Sequence, residues 1–421
     1  MPLKDSLALI AIACLLLLAQ GWSAAAGPGP LPPMEYTFGN DANEAQAELY
    51  RSLGVTSVES YVTWETVEGK GREQWDWSRW DEQVRVLKSD GLKWVPFLIL
   101  SPAYSTPNWF RESPDHIGCV CLEHGIESKI ESLWNPHLPA YIERFLAAFA
   151  ERYREQGVIE SLLLGIQGDY GEAIYSVSGG GWTFRIPGAY HNHAGFWCGD
   201  RFARAAFRRW AEGKFRRIAS LNEAWGTQFP SFEAVDFPVS FDGEGESRRT
   251  LPRDDTAPGR RAWLDFVEWY REAMTDWADW WIAVTRKYFP KTEIYLCTGG
   301  AAEALTGAQF AAQCKVAARH GAGVRITNEG SDYSFNFALT RWVASAGKFY
   351  GAYFGFEPAS TEDERGIVAR IYNATASGAR QLHDYAGNVT GSVERQRIQG
   401  QHLEYLFPAR PVVPVGLWYP N

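Results

Sequence analysis

The chain has 421 residues, 46% of them hydrophobic and 22% charged, a balance that suits a globular protein with a large core and excludes a disordered or polytopic membrane chain. Its net charge of −9 is spread along the sequence without a basic stripe, so nucleic acid is not expected as a partner. The 19 Trp are several times ordinary usage; indole faces stack on the C–H faces of sugar rings as well as filling cores, and composition leans towards an oligo- or polysaccharide ligand.

In chain order, the first segment is MPLKDSLALIAIACLLLLAQGWSAAAGPGP. A weakly charged start, an apolar run from Leu7 to Ala19 and small residues up to Ala26 read as a secretory signal over residues 1–26, since the run is shorter than the roughly 20 residues that span a bilayer. A secreted or periplasmic protein with no stable membrane insertion after cleavage is expected. A Pro/Gly linker over 27–33 follows.

From there short β-rich apolar runs alternate with amphipathic helical stretches. EYTFGN precedes DANEAQAELYRSLG, SVESYVTW precedes WSRWDEQVRVLKSDG, and LKWVPFLIL precedes NPHLPAYIERFLAAFAERYRE. The fourth run, ESLLLGIQ, is followed by a Gly- and aromatic-rich loop, a helix expected over about 200–220, a polar stretch, and a long helix expected over 262–288. EIYLCTGG, GVRITNEG, KFYGAYFGFEPA and ARQLHDYAGN complete the series. Some eight strand and helix pairs, with no Gly-rich dinucleotide fingerprint after the first strand, predict an α/β fold: a (β/α)8 TIM barrel over residues 34–408 with a long insertion after strand four. Residues 409–421 look like the start of a further domain.

Reactive groups of such a barrel gather at the C-terminal ends of its strands. Strand one ends in Asn40 and Asp41, strand two in Trp64 and Glu65, strand four in Asp169 and Glu172, strand six in Asn328 and Glu329, strand seven in Glu357 and strand eight in Asp384. An acidic, aromatic mouth suits cleavage of a glycosidic bond, which takes two carboxyl groups flanking an oxocarbenium-like centre. Glu172, in a Gly-flanked loop, and Glu357, in YFGFEPAS, are the candidate catalytic pair, with Glu329 as the rival. Asn40, Trp64, Tyr104, Asp169, Tyr175, Trp182, His193, Glu329 and Asp384 are candidate sugar-binding residues. Asp41 is read as a helix cap.

No metal or cofactor is expected. Beyond the signal, Cys119, Cys121, Cys198, Cys297 and Cys314 are too sparse for a disulfide scaffold. In CVCLEHG, Cys119, Cys121 and His124 match no common zinc spacing, and a packed loop thiol is the reading preferred; His191 and His193 in AYHNHAGFW are assigned to the loop rim. Asn373 and Asn388 begin glycosylation sequons.

VTSVESYVTWETVE with WDWSRWDEQVRVLKSDGLKWVPFLI, and FRRWAEGKFRRIASLNEAWGTQF, resemble the family-42 β-galactosidases and their clan. That resemblance implies a retaining exo-β-glycosidase with Glu172 as acid/base and Glu357 as nucleophile, their carboxyl groups about 5 to 5.5 Å apart. The clan places Asn before its acid/base Glu, whereas Gly171 stands here, and GDYGEAIYSVSGGGWTFRIPG is similar to the strand-four motif of β-amylases. This second resemblance implies an inverting enzyme with Glu172 as general acid. A barrel that binds carbohydrate without turning it over, and a metal-dependent hydrolase built on Cys119, Cys121 and His124, are the remaining alternatives.

Overall fold

Strands covered on both faces carry near-continuous apolar runs, and the runs that open each unit of this sequence have that character. A computed structural model describes residues 33–39, 46–177, 186, 188–300, 303–359 and 362–407. In it, eight strands form one closed barrel: Glu35–Gly39, Ser57–Thr63, Lys93–Ile99, Ser161–Gly165, Glu293–Thr298, Gly323–Glu329, Tyr353–Pro358 and Gln381–Tyr385. They are the first to eighth barrel strands below. Every neighbouring pair is parallel, and the ring closes where the first strand pairs with the eighth, Phe38 opposite Asp384. The architecture is the expected (β/α)8 barrel. The signal, most of the linker, and the proposed further domain at 409–421 lie outside the described residues, and no helix among the described residues is long and apolar enough to cross a membrane.

The insertion after the fourth strand differs in detail from the expectation. Its first helix, Arg201–Phe215, is capped by the Asp200 carboxylate, which accepts from the Phe202 and Ala203 N–H groups, and stops at Arg216, whose φ is 63°. A second helix, Ile218–Trp225, continues the segment. The long helix spans Ala257–Tyr288, beginning upstream of the expected start because Thr256 caps the Gly259 N–H and Pro258 sits in the first turn. The polar stretch before it holds a hairpin of Val239–Asp242 with Arg249–Pro252, and the CVCLEHG segment belongs to another, Gly118–Val120 with Glu127–Glu131.

Packing corrects several candidate binding residues. Trp64 is fully buried: its indole N–H donates to Glu68 Oε2 at 2.6 Å and its ring packs edge-on against Trp109. Tyr175 is buried too, stacked on Tyr270 with centroids 3.8 Å apart and donating to the Tyr270 carbonyl at 3.1 Å. Tyr104 lies behind the fourth-strand loop, where its hydroxyl donates to the Tyr170 carbonyl at 2.9 Å.

Glu329 and Asp384 serve the same structural cluster. The sixth strand shifts register between Ile326 and Glu329, and Asn328 there adopts a φ of 82°. Such a bulge reverses the facing of the residues beyond it. Glu329 therefore points away from the barrel mouth, into a buried site where Arg370 Nε (3.0 Å) and Asn373 Nδ2 (2.9 Å) donate to it. Arg370 also meets Glu362 at 3.0 Å and Asp384 at 3.1 Å, and Asn388 donates to Asp384 at 3.1 Å. The two sequon residues, Asn373 and Asn388, are thus buried hydrogen-bonding members of this cluster rather than glycan acceptors.

Candidate active site

The fourth strand ends at Gly165 and the chain folds straight back on itself: the Ile166 N–H donates to the Gly171 carbonyl at 2.8 Å, and Gln167 bridges Gly171 in antiparallel fashion. Gly171 takes a φ of 127°, and a Cβ there would lie 3.0 Å from Phe97 Cζ and 3.3 Å from Gly165 Cα. A left-handed backbone and a close approach together call for glycine, which explains why Gly171 stands where the family-42 pattern has Asn. The turn is pinned from behind by Trp277, whose indole N–H donates to the Ile166 carbonyl at 3.2 Å, and Ala173, just past the turn, donates its N–H to the Cys297 carbonyl at 2.8 Å. Glu172 is thereby held over the barrel mouth. Gly171→Ala is expected to cost about 1 to 3 kcal/mol of local strain and to lower turnover roughly tenfold or more; steady-state kinetics, with a far-UV spectrum as the folding control, check it.

The mouth contains a cavity of about 340 Å³ lined by Glu172, Glu357, Asp169, Asn328, Tyr61, Tyr170 and Tyr385, among others. The two candidate carboxylates share this one space. Burial, with smaller contributions from the charges of Glu357 and Asp169, pushes the Glu172 carboxyl up to about 7, and its Oε2 has no hydrogen-bonding partner among the described residues. Glu357 is in a different electrostatic setting. Arg325 Nη2, from the sixth strand, lies 2.7 Å from Glu357 Oε2, and the Tyr385 hydroxyl is 3.4 Å from Oε1. The same guanidinium donates to Glu59 on the second strand and, at 3.3 Å, to Gln381 on the eighth. Burial, then the Glu357 charge, raise the Glu59 carboxyl to about 7 against the pull of Arg325. One cation thus sits beneath the mouth between two acids, and one of those acids faces the cavity.

Asp169 lines the cavity and braces its wall. It accepts from Asn192 Nδ2 (2.6 Å), the Ser176 hydroxyl (2.8 Å) and the Val177 N–H (3.2 Å). His193, expected at a sugar-binding rim, is instead beside His124, His191 and Trp197, with ring centroids 4.8, 4.9 and 5.0 Å away, and is not among the cavity-lining residues. Asn40 and Trp182 lie outside the described residues. The sequence reading missed Arg325, Glu59, Tyr61 and Tyr385. A charged residue inside an apolar strand was the available signal for the first two, because a buried charge needs a counter-charge. The aromatic lining among the described residues is Tyr and Phe; Trp, which had suggested a sugar ligand, goes chiefly into packing.

The family model for Glycosyl hydrolase family 14 matches residues 127–302, the segment that contains the Glu172 turn. The thermophilic β-amylase of Thermoanaerobacterium thermosulfurigenes is 23% identical over 257 residues, 58% of this chain and 44% of that protein. A β-galactosidase of Thermus thermophilus is 28% identical over 204 residues, 46% of this chain and 27% of that protein. The chain therefore spans less than half the length of either relative. The crystal structure of the catalytic domain of β-amylase from Paenibacillus polymyxa superposes with a TM-score of 0.71 at 20% identity, covering 90% of this chain and 99% of that one, and shares its fold. Of the two resemblances drawn from the sequence, the findings favour family 14 glycosyl hydrolases over family 42, and the chain is similar to the β-amylases through the segment that builds the fourth-strand site.

Proposed function

We propose that the chain is a glycoside hydrolase of the β-amylase kind, with Glu172 as general acid and Glu357 as general base, acting on an α-linked glucan of the amylose type with inversion at the anomeric carbon. The observation that carries this reading is the contrast between two carboxylates facing one cavity: Glu172 desolvated, with only backbone N–H groups to accept from and its Oε2 without a partner among the described residues, and Glu357 held against a guanidinium. Environments that separate two acids in this way fit one for giving up a proton and the other for taking one. Glu172, protonated near neutral pH, donates to the departing glycosidic oxygen. Glu357, paired with Arg325, draws a proton from the water that attacks from the other face. Tyr61, Tyr170 and Tyr385 offer ring faces and hydroxyls to the sugar.

The family 14 match and the Gly171-Glu172 turn support inversion in place of the retaining β-galactosidase chemistry expected from the family-42 resemblance. Proton NMR of the first minutes of maltooligosaccharide hydrolysis tests the reading. The β-anomer of the released sugar should appear first, with the α-anomer following by mutarotation. Initial release of the α-anomer, or cleavage of aryl β-galactosides with the glucan left intact, would overturn it. Binding of the glucan without any product would instead favour a carbohydrate-binding barrel.

A further inference from the structure

Two loop segments whose histidines and cysteine the proposed chemistry does not use bring four metal-ligating side chains together. Cys121 and His124 come from the hairpin turn after the third strand, His191 and His193 from the loop after the fourth, and their ligating atoms all lie within 4.8 Å of one another. Cys121 Sγ is 3.2 Å from His191 Nε2 and 3.6 Å from His124 Nδ1. A tetrahedral zinc ion with Zn–S near 2.3 Å and Zn–N near 2.0–2.1 Å sets its sulfur and nitrogen ligands roughly 3.6 Å apart. The sequence expectation of a metal-free packed thiol rested on Cys119, Cys121 and His124. Cys119 in fact turns away, donating to the Glu131 carbonyl at 3.2 Å, and the remaining candidates arrive from a loop some seventy residues on.

The surroundings present these atoms as ligands. His124 places Nε2 2.9 Å from the Gly245 carbonyl and His193 places Nδ1 2.8 Å from the Ala194 carbonyl. Each contact puts the ring proton on the outer nitrogen and leaves the inner one with a free lone pair, the usual arrangement around metal-bound imidazoles. His193 Nε2 is buried and has no hydrogen-bonding partner among the described residues. Cys121 is fully buried, as suits a thiolate ligand of a closed site. The two loops are fastened to each other on either side of the cluster: the Leu122 N–H donates to the Phe196 carbonyl at 2.8 Å and the Gly199 N–H to the Val120 carbonyl at 2.7 Å. Glu123 accepts from the Phe196 N–H at 3.1 Å. A Cβ at Gly195 would lie 2.5 Å from His193 Cε1 and 2.8 Å from Glu123 Oε2, so this carboxylate packs beside the histidines, where it would balance the net positive charge of a zinc ion with one thiolate and three neutral imidazoles. The other cluster of potential ligands among the described residues, Glu59, Glu357 and His383, is already served by the Arg325 guanidinium.

We infer that Cys121, His124, His191 and His193 form a structural site for a single divalent transition metal, zinc by its thiolate and imidazole donors, clamping the loop after the third strand to the loop after the fourth. Four protein ligands leave no open position, so the ion is structural rather than catalytic. Its place in the fold ties it to the candidate active site: Asn192, between the two loop histidines, donates to Asp169 on the cavity wall.

Metal analysis of the full chain, expressed with zinc supplied and desalted, tests the inference. About one zinc per chain is expected. Cys121→Ala and His191→Ala should each lose most of it, whereas Cys119→Ala, whose thiol faces the other way, should keep it. Because a variant can fail to fold, the chelator-treated wild-type chain is also loaded with cobalt: a thiolate-to-cobalt charge-transfer band with intense tetrahedral ligand-field bands is expected, along with a rise in thermal midpoint on adding zinc. A wild-type chain that neither retains zinc nor takes it up after chelation, cobalt spectra without a thiolate band, or zinc that stays in the Cys121→Ala/His191→Ala double variant would each overturn the site.

Discussion

Glu172→Gln is expected to lower kcat/KM on an O-linked glucan by about 10² to 10⁴, the usual worth of a positioned general acid. The amide keeps the size and polarity of the side chain but cannot supply the proton. The wild-type pH profile should carry the same signature. Burial pushes the Glu172 carboxyl up to about 7, and an acid must be protonated to act, so kcat/KM should fall as pH rises through about 7. Stability should move the other way. The folded chain holds this proton at pH values where the unfolded chain has released it, so this carboxyl makes wild-type stability decline from roughly pH 4.5 to 7 and leaves a constant penalty above that. Removing the charge therefore makes Glu172→Gln more stable than wild type at pH 8, by on the order of 3 kcal/mol, and no different at about pH 4. Kinetics and thermal melts on the same preparations separate lost chemistry from lost folding.

Arg325→Met is expected to be the most damaging single substitution in the barrel interior. It leaves Glu59 and Glu357 in a dry setting without the guanidinium that now touches both. Breaking a buried ion pair by removing one partner costs about 3 to 5 kcal/mol, a large part of the roughly 5 to 15 kcal/mol that holds a domain folded. Urea titration should show a lower midpoint. The deficit should grow as pH rises above about 7, where Glu59 ionises beside Arg325 in the wild type but, without the guanidinium that lowers its carboxyl, is held protonated in the variant. Adding Glu59→Gln to the same chain removes one of the two stranded charges and should recover part of the loss. Turnover should not return, because Glu357 still lacks its cation.

The barrel was legible because each of its strands is an apolar run followed by a helical period, and that alternation survives the long insertion. Glu172 and Glu357 were legible by position, at the ends of the fourth and seventh strands beside glycine or proline. Glu329 and Asp384 had the same credentials and belong elsewhere. A register shift of the sixth strand turned Glu329 outward, and Arg370, on the helix that leads into the eighth strand, drew both acids into one buried cluster. Neither event leaves a mark in the local sequence. Trp64 and Tyr175 show the ambiguity of aromatic residues, which suit a sugar face and a core equally well. Arg325 and the four proposed metal ligands depend on contacts across the barrel or between distant loops, and only the fold could bring them together.

The paired-glutamate account is tested most directly with a maltosyl fluoride, whose leaving group departs without needing a proton, given side by side to Glu172→Gln and Glu357→Gln. Glu172→Gln should hydrolyse the fluoride within about tenfold of the wild-type rate while remaining crippled on the O-linked glucan, and Glu357→Gln should be crippled on both. Equal losses for the two variants on both substrates, or an active Glu357→Gln, would contradict the assignment of one glutamate to the leaving oxygen and the other to the attacking water.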